Sequence, residues 1–123
     1  SDDSPYTGVI TRFLKLRREG TALLIFGDGS QARDFTYVHD AVRAILKSGE
    51  HAAGNDGVLA VNVGSERSVT IGEIAEAVGG PVERSAPREG DVFHTRADAS
   101  LASKLLGWEP SSMTPLSFIR QAR

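Results

Sequence analysis

The segment that most constrains the fold is the run at residues 58–63, which contains five apolar residues and one asparagine. Its apolar and polar positions barely alternate, a pattern typical of a strand buried on both faces of a parallel sheet. Few other strands in the sequence could flank it, because helical patterns occupy most of the remaining chain. We therefore expect residues 1–123 to form a single domain that is a fragment of a longer α/β protein.

The rest of the chain predicts helices separated by short strands. Apolar residues recur at helical spacing over about 7–19 and over 38–46, where Gly20 and Gly49 are expected to end the helices. Further helices are expected after the capping box Thr70-x-x-Glu73, after Asp98, and from Pro115 onward. Short strands are expected at 23–26, 34–37 and 59–63. The fold class is therefore α/β, a small mixed domain of helices and few short strands.

Composition excludes several classes of protein. Hydrophobic residues make up 40% and charged residues 24% of the chain, as in globular domains. The chain has no cysteine, so disulfides and thiolate metal sites are excluded. The three histidines lack metal-ligand spacing. No apolar run is long enough for a membrane span, and a net charge of −2 argues against nucleic acid. We expect a cytoplasmic protein without metal, membrane or nucleic-acid contacts.

The glycine-rich segment Gly27-x-Gly29-x-x-Ala32 matches a dinucleotide-binding pattern only superficially. That pattern requires a helix directly after the loop, so that the helix N-terminus meets the pyrophosphate. Here the next residues are Asp-Phe-Thr-Tyr, which favour a strand. We interpret the segment as a turn and expect no cofactor site in it.

Arginines in predicted loops indicate a binding site more clearly than the glycine-rich segment does. Arg33 follows the glycine-rich turn, and Arg88 lies in an irregular stretch that also contains Asp91. The forked guanidinium group of arginine fits a pair of phosphate oxygens, and an aspartate can accept from a ribose diol. Two converging arginines would clamp a diphosphate. The alternative is that each is a surface residue or part of a structural ion pair.

Several motifs together resemble one family. Residues 25–40, IFGDGSQARDFTYVHD, resemble the signature of NAD-dependent sugar-nucleotide epimerases and dehydratases, which are extended short-chain dehydrogenases/reductases. VNVG at 61–64, PREGD at 87–91, ADAS at 97–100 and LLGWEP at 105–110 are similar to later motifs of that family. Their order and spacing hold across nearly the whole chain. The Arg-Glu-Gly-Asp form is similar to that of UDP-glucose 4-epimerase-like members.

The resemblance implies which part of such an enzyme this chain represents. It is similar to the C-terminal substrate lobe, without the Rossmann lobe that binds NAD. The family's catalytic Tyr-x-x-x-Lys is absent, since Ile10 follows Tyr6 and Ala41 follows Tyr37 at the lysine position. The resemblance thus implies part of an NAD-dependent epimerase that is inactive alone, with no catalytic residue and no bound cofactor in this chain.

The resemblance also implies roles for individual residues. Leu24 and Phe26 would line the uracil site, Val69 would pack near the nucleoside, and Phe35 replaces a tyrosine that is common in the family. Arg33 and Arg88 would hold the diphosphate, and Asp91 would accept from the ribose. Thr95 would face the C2 substituent of the sugar.

Other readings stay open at this point. The chain could be a non-catalytic nucleotide-sugar-binding module, or part of a 4,6-dehydratase or a UDP-glucuronate decarboxylase. The partners expected are a UDP-sugar and the chain's own N-terminal Rossmann lobe. Self-association or domain exchange through residues 59–63 is also expected, because an unpaired strand edge invites pairing with another chain.

Overall fold

A computed structural model of the chain describes residues 8–123. Tyr6 and the predicted helix start at about residue 7 lie outside the described residues. The elements along the chain are α1 (Val9–Arg18), β1 (Leu23–Phe26), β2 (Ala32–Asp34), α2 (Val38–Ala53), β3 (Ser68–Thr70), α3 (Ile71–Val78), β4 (Val82–Ser85), α4 (Ser100–Leu106) and α5 (Pro115–Ala122).

The described chain divides into two compact units. Unit 1 contains residues 8–33, Val69–His94 and Pro115–Arg123, and unit 2 contains Asp34–Ser68 and Thr95–Thr114. β2 pairs with β3, and the chain passes between the units within these two strands. The single domain that the sequence predicts is therefore divided, by its internal contacts, into two units.

Unit 1 is built on a two-stranded parallel sheet of β1 and β4, in which Leu23 lies opposite Val82. β1 alternates buried and more exposed residues, so that Leu23 and Ile25 face the core. Helices α1, α3 and α5 complete this core, mainly through three fully buried side chains: Phe13, Ile74 and Ile119. The sequence did not predict β4, because all four of its residues are exposed and three of them are polar.

Helix α3 is fixed at both ends. At its start, the Thr70 hydroxyl accepts from the Glu73 amide at 3.0 Å, and the Glu73 carboxylate accepts from the Thr70 amide at 2.8 Å, as the capping box predicts. At its end, Arg17 donates to the Val78 carbonyl and Arg123 donates to the Ala77 carbonyl. These cations bind carbonyl groups that have no partner within the helix.

Unit 2 packs α2 against α4 around Trp108, which is completely buried. The indole Nε1 of Trp108 donates to the Asp40 carbonyl at 2.9 Å. The buried Asp40 carboxylate accepts from Arg43 at 2.9 Å and from the Ser111 amide at 3.0 Å. Burial raises the pKa of Asp40, but the hydrogen bonds from Arg43 and Ser111 outweigh it and lower the pKa below its usual value.

Two expectations for unit 2 are wrong. Residues 59–63 form no strand, because no neighbouring strand among the described residues pairs with them. Helix α2 continues past Gly49 to Ala53, since one exposed glycine in a helix costs only about 1 kcal/mol. The apolar stripe of this helix is largely exposed, and Ile45 is 70% accessible.

Two boundaries also differ from the prediction. β2 covers Ala32–Asp34 rather than residues 34–37. The N-cap of α4 is Ala99, although the Asp98 carboxylate still accepts from the Ser100 amide at 3.0 Å. None of the helices in the described part of the chain is long and apolar enough to cross a membrane.

Candidate functional site

The loop between β1 and β2 has a fixed conformation. Gly29 has φ +82°, and a Cβ on it would lie 3.3 Å from the Gly72 Cα in the first turn of α3. The Asp28 carboxylate accepts from the Ser30 hydroxyl at 2.6 Å and from the Ser30 amide at 2.9 Å, and these bonds lower its pKa. Gln31 Nε2 donates to the Phe26 carbonyl at 2.8 Å. The loop leads into β2 and not into a helix, so the interpretation as a turn is confirmed.

This loop and residues 87–93 line a cavity of about 390 Å³ in unit 1. The Phe93 carbonyl accepts from the Ala32 amide at 2.8 Å, which ties the far end of the second segment to β2. The apolar part of the lining includes Phe26, Pro87, Val92 and Phe93, and the charged part includes Asp28, Arg88 and Asp91. A cavity with apolar walls and a few charged groups suits a small polar ligand with a flat apolar part.

Two arginines converge on one carboxylate beside this cavity. Arg33 Nη2 lies 2.8 Å from Asp91 Oδ1, and Arg88 Nη2 lies 3.9 Å from Asp91 Oδ2. Arg33 also donates through Nη1 to the Ala32 carbonyl at 2.8 Å, so its side chain is held in place. Among these three side chains, the two guanidinium charges exceed the single charge of Asp91, while Asp28 adds a second carboxylate to the cavity lining.

Arg88 also contacts an aromatic ring. Its guanidinium carbon lies 4.5 Å from the centroid of the Phe26 ring, within the range of a cation–π contact. The Arg88 side chain is more than half exposed, and its distance to Asp91 is long for a hydrogen bond. Arg88 is therefore the more loosely held of the two arginines.

Four of the predicted site residues come together in unit 1, namely Phe26, Arg33, Arg88 and Asp91. Leu24 lies on the same face of β1 as Phe26 but does not line the cavity, and Val69 lies half-buried in β3. The Asp91 carboxylate, expected to accept from a ribose, holds Arg33 in this structure. The ribose contact stays a prediction.

The other two predicted residues lie in unit 2. Phe35 is half-buried in the segment after β2. Thr95 is exposed, but its hydroxyl accepts from the Asp34 amide at 3.1 Å, and its carbonyl accepts from the Ser68 hydroxyl at 2.6 Å. Thr95 is thus fixed in position by its own side chain.

Sequence reasoning missed Phe93 and Gln31. Gln31 is part of the quoted signature, yet its bond to the Phe26 carbonyl depends on the turn geometry. The sequence could have indicated Phe93, because it is an aromatic residue two positions after Asp91 in a segment predicted to be an irregular loop. Phe93 lines the cavity and is 68% exposed.

Two features of the described residues bear on NAD and metal binding. The one dinucleotide-like loop is followed by β2, so no helix N-terminus faces a pyrophosphate there. No cluster of three or more histidine, aspartate or glutamate side chains within residues 8–123 could hold a metal ion.

The described chain thus has short helices and strands in each unit, and a cavity in unit 1 with Arg88 in its lining and Arg33 beside it. The sequence pattern of the NAD dependent epimerase/dehydratase family matches residues 1–64, and the chain belongs to this family. The resemblance seen in the sequence and the predicted fold class are thereby confirmed.

Individual relatives agree with this assignment. The chain is 38% identical to the UDP-glucose 4-epimerase of Mycolicibacterium smegmatis over 109 residues, which are 84% of this chain and 34% of the relative. It is 41% identical to the UDP-N-acetyl-alpha-D-glucosaminuronate decarboxylase of Bacillus cytotoxicus over 76 residues, which are 62% of this chain and 23% of the relative.

A solved structure shows the same fold. It is the UDP-N-acetylglucosamine 4-epimerase from Methanobrevibacter ruminantium M1 in complex with UDP-N-acetylmuramic acid. The TM-score is 0.84 at 29% identity, and the match covers 99% of this chain and 40% of that one. The matches span 23%, 34% and 40% of the length of these three proteins.

Proposed function

We propose that unit 1 binds the diphosphate and nucleoside of a UDP-sugar, as the C-terminal substrate-binding part of a UDP-glucose 4-epimerase-like enzyme. The observation that carries this proposal is the convergence of Arg33 and Arg88 on Asp91 beside the cavity. A diphosphate carries two or more negative charges and can accept from both guanidinium groups. A similar epimerase has been solved with a UDP-sugar, which supports this class of ligand.

Catalysis and NAD binding then belong to the Rossmann lobe of the enzyme. Tyr37 has no lysine four residues later and instead begins α2, with its ring 5.0 Å from the His39 ring. No side chain of this sequence replaces the tyrosine–lysine pair. When bound to that lobe, NAD would carry the hydride, and the present chain would hold the substrate. We expect the chain alone to be inactive.

A second candidate is part of a sugar-nucleotide decarboxylase or dehydratase. The similarity to the Bacillus cytotoxicus decarboxylase supports this candidate. A nucleoside diphosphate site would serve the epimerase and the decarboxylase equally. A non-catalytic nucleotide-sugar-binding module is a third. An open reading frame with an upstream Gly-x-x-Gly-x-x-Gly and Tyr-x-x-x-Lys would decide for an enzyme, and the catalytic residues beside that tyrosine would identify the reaction.

The protein partner that we propose is the Rossmann lobe, docked on unit 2. The apolar face of α2, which includes Val42 and Ile45, is exposed, as is most of the apolar run at 58–63. A helix followed by such a run is the connection expected in a parallel α/β sheet. Self-association or domain exchange through the same run is the competing outcome.

Calorimetric titration of UDP into the chain tests the binding site. Arg33→Ala or Arg88→Ala should weaken UDP binding by about 1.5–3 kcal/mol, the range for a hydrogen bond to a charged group. This is about a ten- to hundredfold increase in Kd. Lysine at either position should restore only part of the affinity, because an ammonium group cannot make the forked contact.

Arg120→Ala is the matched control, since this arginine is exposed on α5 and outside the cavity. It should leave the Kd unchanged. The proposal fails if the wild-type chain does not bind UDP, or if both cavity variants bind UDP as tightly as the wild type.

A further inference from the structure

Phe93 is an aromatic residue with a solvent-exposed side chain. The residue is 68% exposed, although a phenylalanine is normally found inside a domain. Its backbone is nevertheless fixed, because its carbonyl accepts from the Ala32 amide at 2.8 Å and the next residue, His94, forms a bridge to Ala32. An exposed ring on a fixed backbone is available for a ligand at low conformational cost.

Phe93 lies close to the two arginines, Arg33 and Arg88, that converge on Asp91. Phe93 lines the same cavity as Phe26, Arg88 and Asp91, and all of them belong to unit 1. Arg88 lies over the Phe26 ring at 4.5 Å, so a flat group already packs against one aromatic side chain in this cavity. The cavity therefore combines aromatic surface with a charged end.

We propose that Phe93 contacts the nucleobase of the nucleoside diphosphate whose phosphates are bound by Arg33 and Arg88. This inference rests on the proposed function. A pyrimidine ring has two apolar faces, and stacking on an aromatic side chain stabilises a bound base regardless of its hydrogen-bonding edge. The base then contributes affinity that a bare diphosphate cannot obtain.

Comparing UDP with inorganic pyrophosphate separates the base from the phosphates. Phe93→Ala should raise the Kd for UDP about tenfold, the lower part of the range measured for base stacking. It should leave the Kd for pyrophosphate unchanged, because Arg33 and Arg88 remain. Phe93→Tyr, which keeps an aromatic face, should retain UDP affinity. In the wild-type chain, saturation transfer by NMR should connect uracil protons with phenylalanine ring protons, and Phe93→Ala should reduce this signal.

Phe118→Ala is the matched control, since this phenylalanine of α5 is 41% exposed and does not line the cavity. It should change neither Kd. Unchanged UDP affinity in Phe93→Ala would overturn the inference while the proposed function stands. An equal loss for UDP and pyrophosphate would also overturn it, because Phe93 would then support the arginines. Failure of the wild type to bind either ligand would instead refute the proposed function.

Discussion

Asp34 follows Arg33 directly in the sequence, but its side-chain hydrogen bonds all lie within unit 2. Its carboxylate accepts from the Ser65 amide at 2.9 Å and hydroxyl at 2.6 Å, and from the amides of Glu66 and Ala97 at 2.9 Å. Three separate stretches of unit 2 thus meet at one side chain. Burial raises the pKa of Asp34, but these hydrogen bonds outweigh it, and the resulting pKa is below the usual value.

A lowered pKa in the folded state makes the contribution of Asp34 to stability depend on pH. The contribution is full above the unfolded pKa, about 3.9, and is lost as the pH falls through the lower, folded pKa. Asp34→Asn should reduce the free energy of unfolding at neutral pH by about 1–3 kcal/mol, because donors lose a charged acceptor. Urea denaturation between neutral pH and pH 3 measures both effects, and the variant should lose less stability on acidification.

Asp56→Asn, in the exposed turn after α2, is the control and should behave as the wild type. Equal stability of Asp34→Asn and the wild type at neutral pH would contradict the structural role of Asp34.

Thr95 gives a prediction about substrate size. Its short side chain should leave room for an N-acetyl group at C2 of the sugar, so an enzyme that contains this segment should accept both UDP-hexoses and UDP-N-acetylhexosamines. Thr95→Tyr should abolish turnover of the N-acetylated substrate and spare the plain hexose, because a steric clash penalises only one ligand. Steady-state kinetics with both substrates measures the effect.

The Thr95 hydroxyl also accepts from the Asp34 amide, so Thr95→Ser is needed as a control that keeps this bond. Rejection of UDP-N-acetylglucosamine by the parent enzyme, or equal loss of both activities in Thr95→Tyr, would show that Thr95 does not set substrate size.

At the scale of elements, the segment after the apolar run depends on a close approach. A Cβ at Gly64 would overlap the Ala97 side chain and lie 3.1 Å from the Asp34 carboxylate. Gly64→Ala should therefore destabilise the protein by about 1–3 kcal/mol, as overpacking does. Gly49→Ala is the matched control in the same unit, since nothing lies within 4 Å of its Cβ position.

Gly49 lies inside α2, where alanine should stabilise the helix by about 0.5–1 kcal/mol. Thermal unfolding of both variants should thus show shifts of opposite sign. A Gly64→Ala protein as stable as the wild type would show that the segments around Gly64 separate at little cost.

Local sequence patterns predicted the elements whose partners are nearby in the described chain. Residues 71–78 form a helix as the capping box of Thr70 indicates, and Pro115 begins α5 as expected. The same patterns failed at residues 59–63. A strand needs a neighbouring strand for its backbone hydrogen bonds, and no strand among the described residues pairs with this run.

Residue types were enough to single out the charged residues of the candidate site. They did not predict the contacts that depend on how side chains are placed. Residue types singled out Arg33 and Arg88 for a diphosphate and Asp91 for a ribose. The structure brings the three together as ion pairs, and their contacts with a ligand stay predictions. The cation–π contact of Arg88 with Phe26 depends on how the two side chains are placed in the cavity. Residue spacing in the sequence does not predict this placement.

At the scale of the whole molecule, the chain alternates between its two units, so that neither is a continuous stretch. The core of unit 1 joins Phe13 of α1 to Ile119 of α5, and these residues lie near opposite ends of the described sequence. A ribosome releases α1 and β1 long before α5, and until then Leu23 and Ile25 lack part of their cover. Unit 1 therefore cannot close until α5 has been synthesised, and until then its partly covered core can associate with other nascent chains.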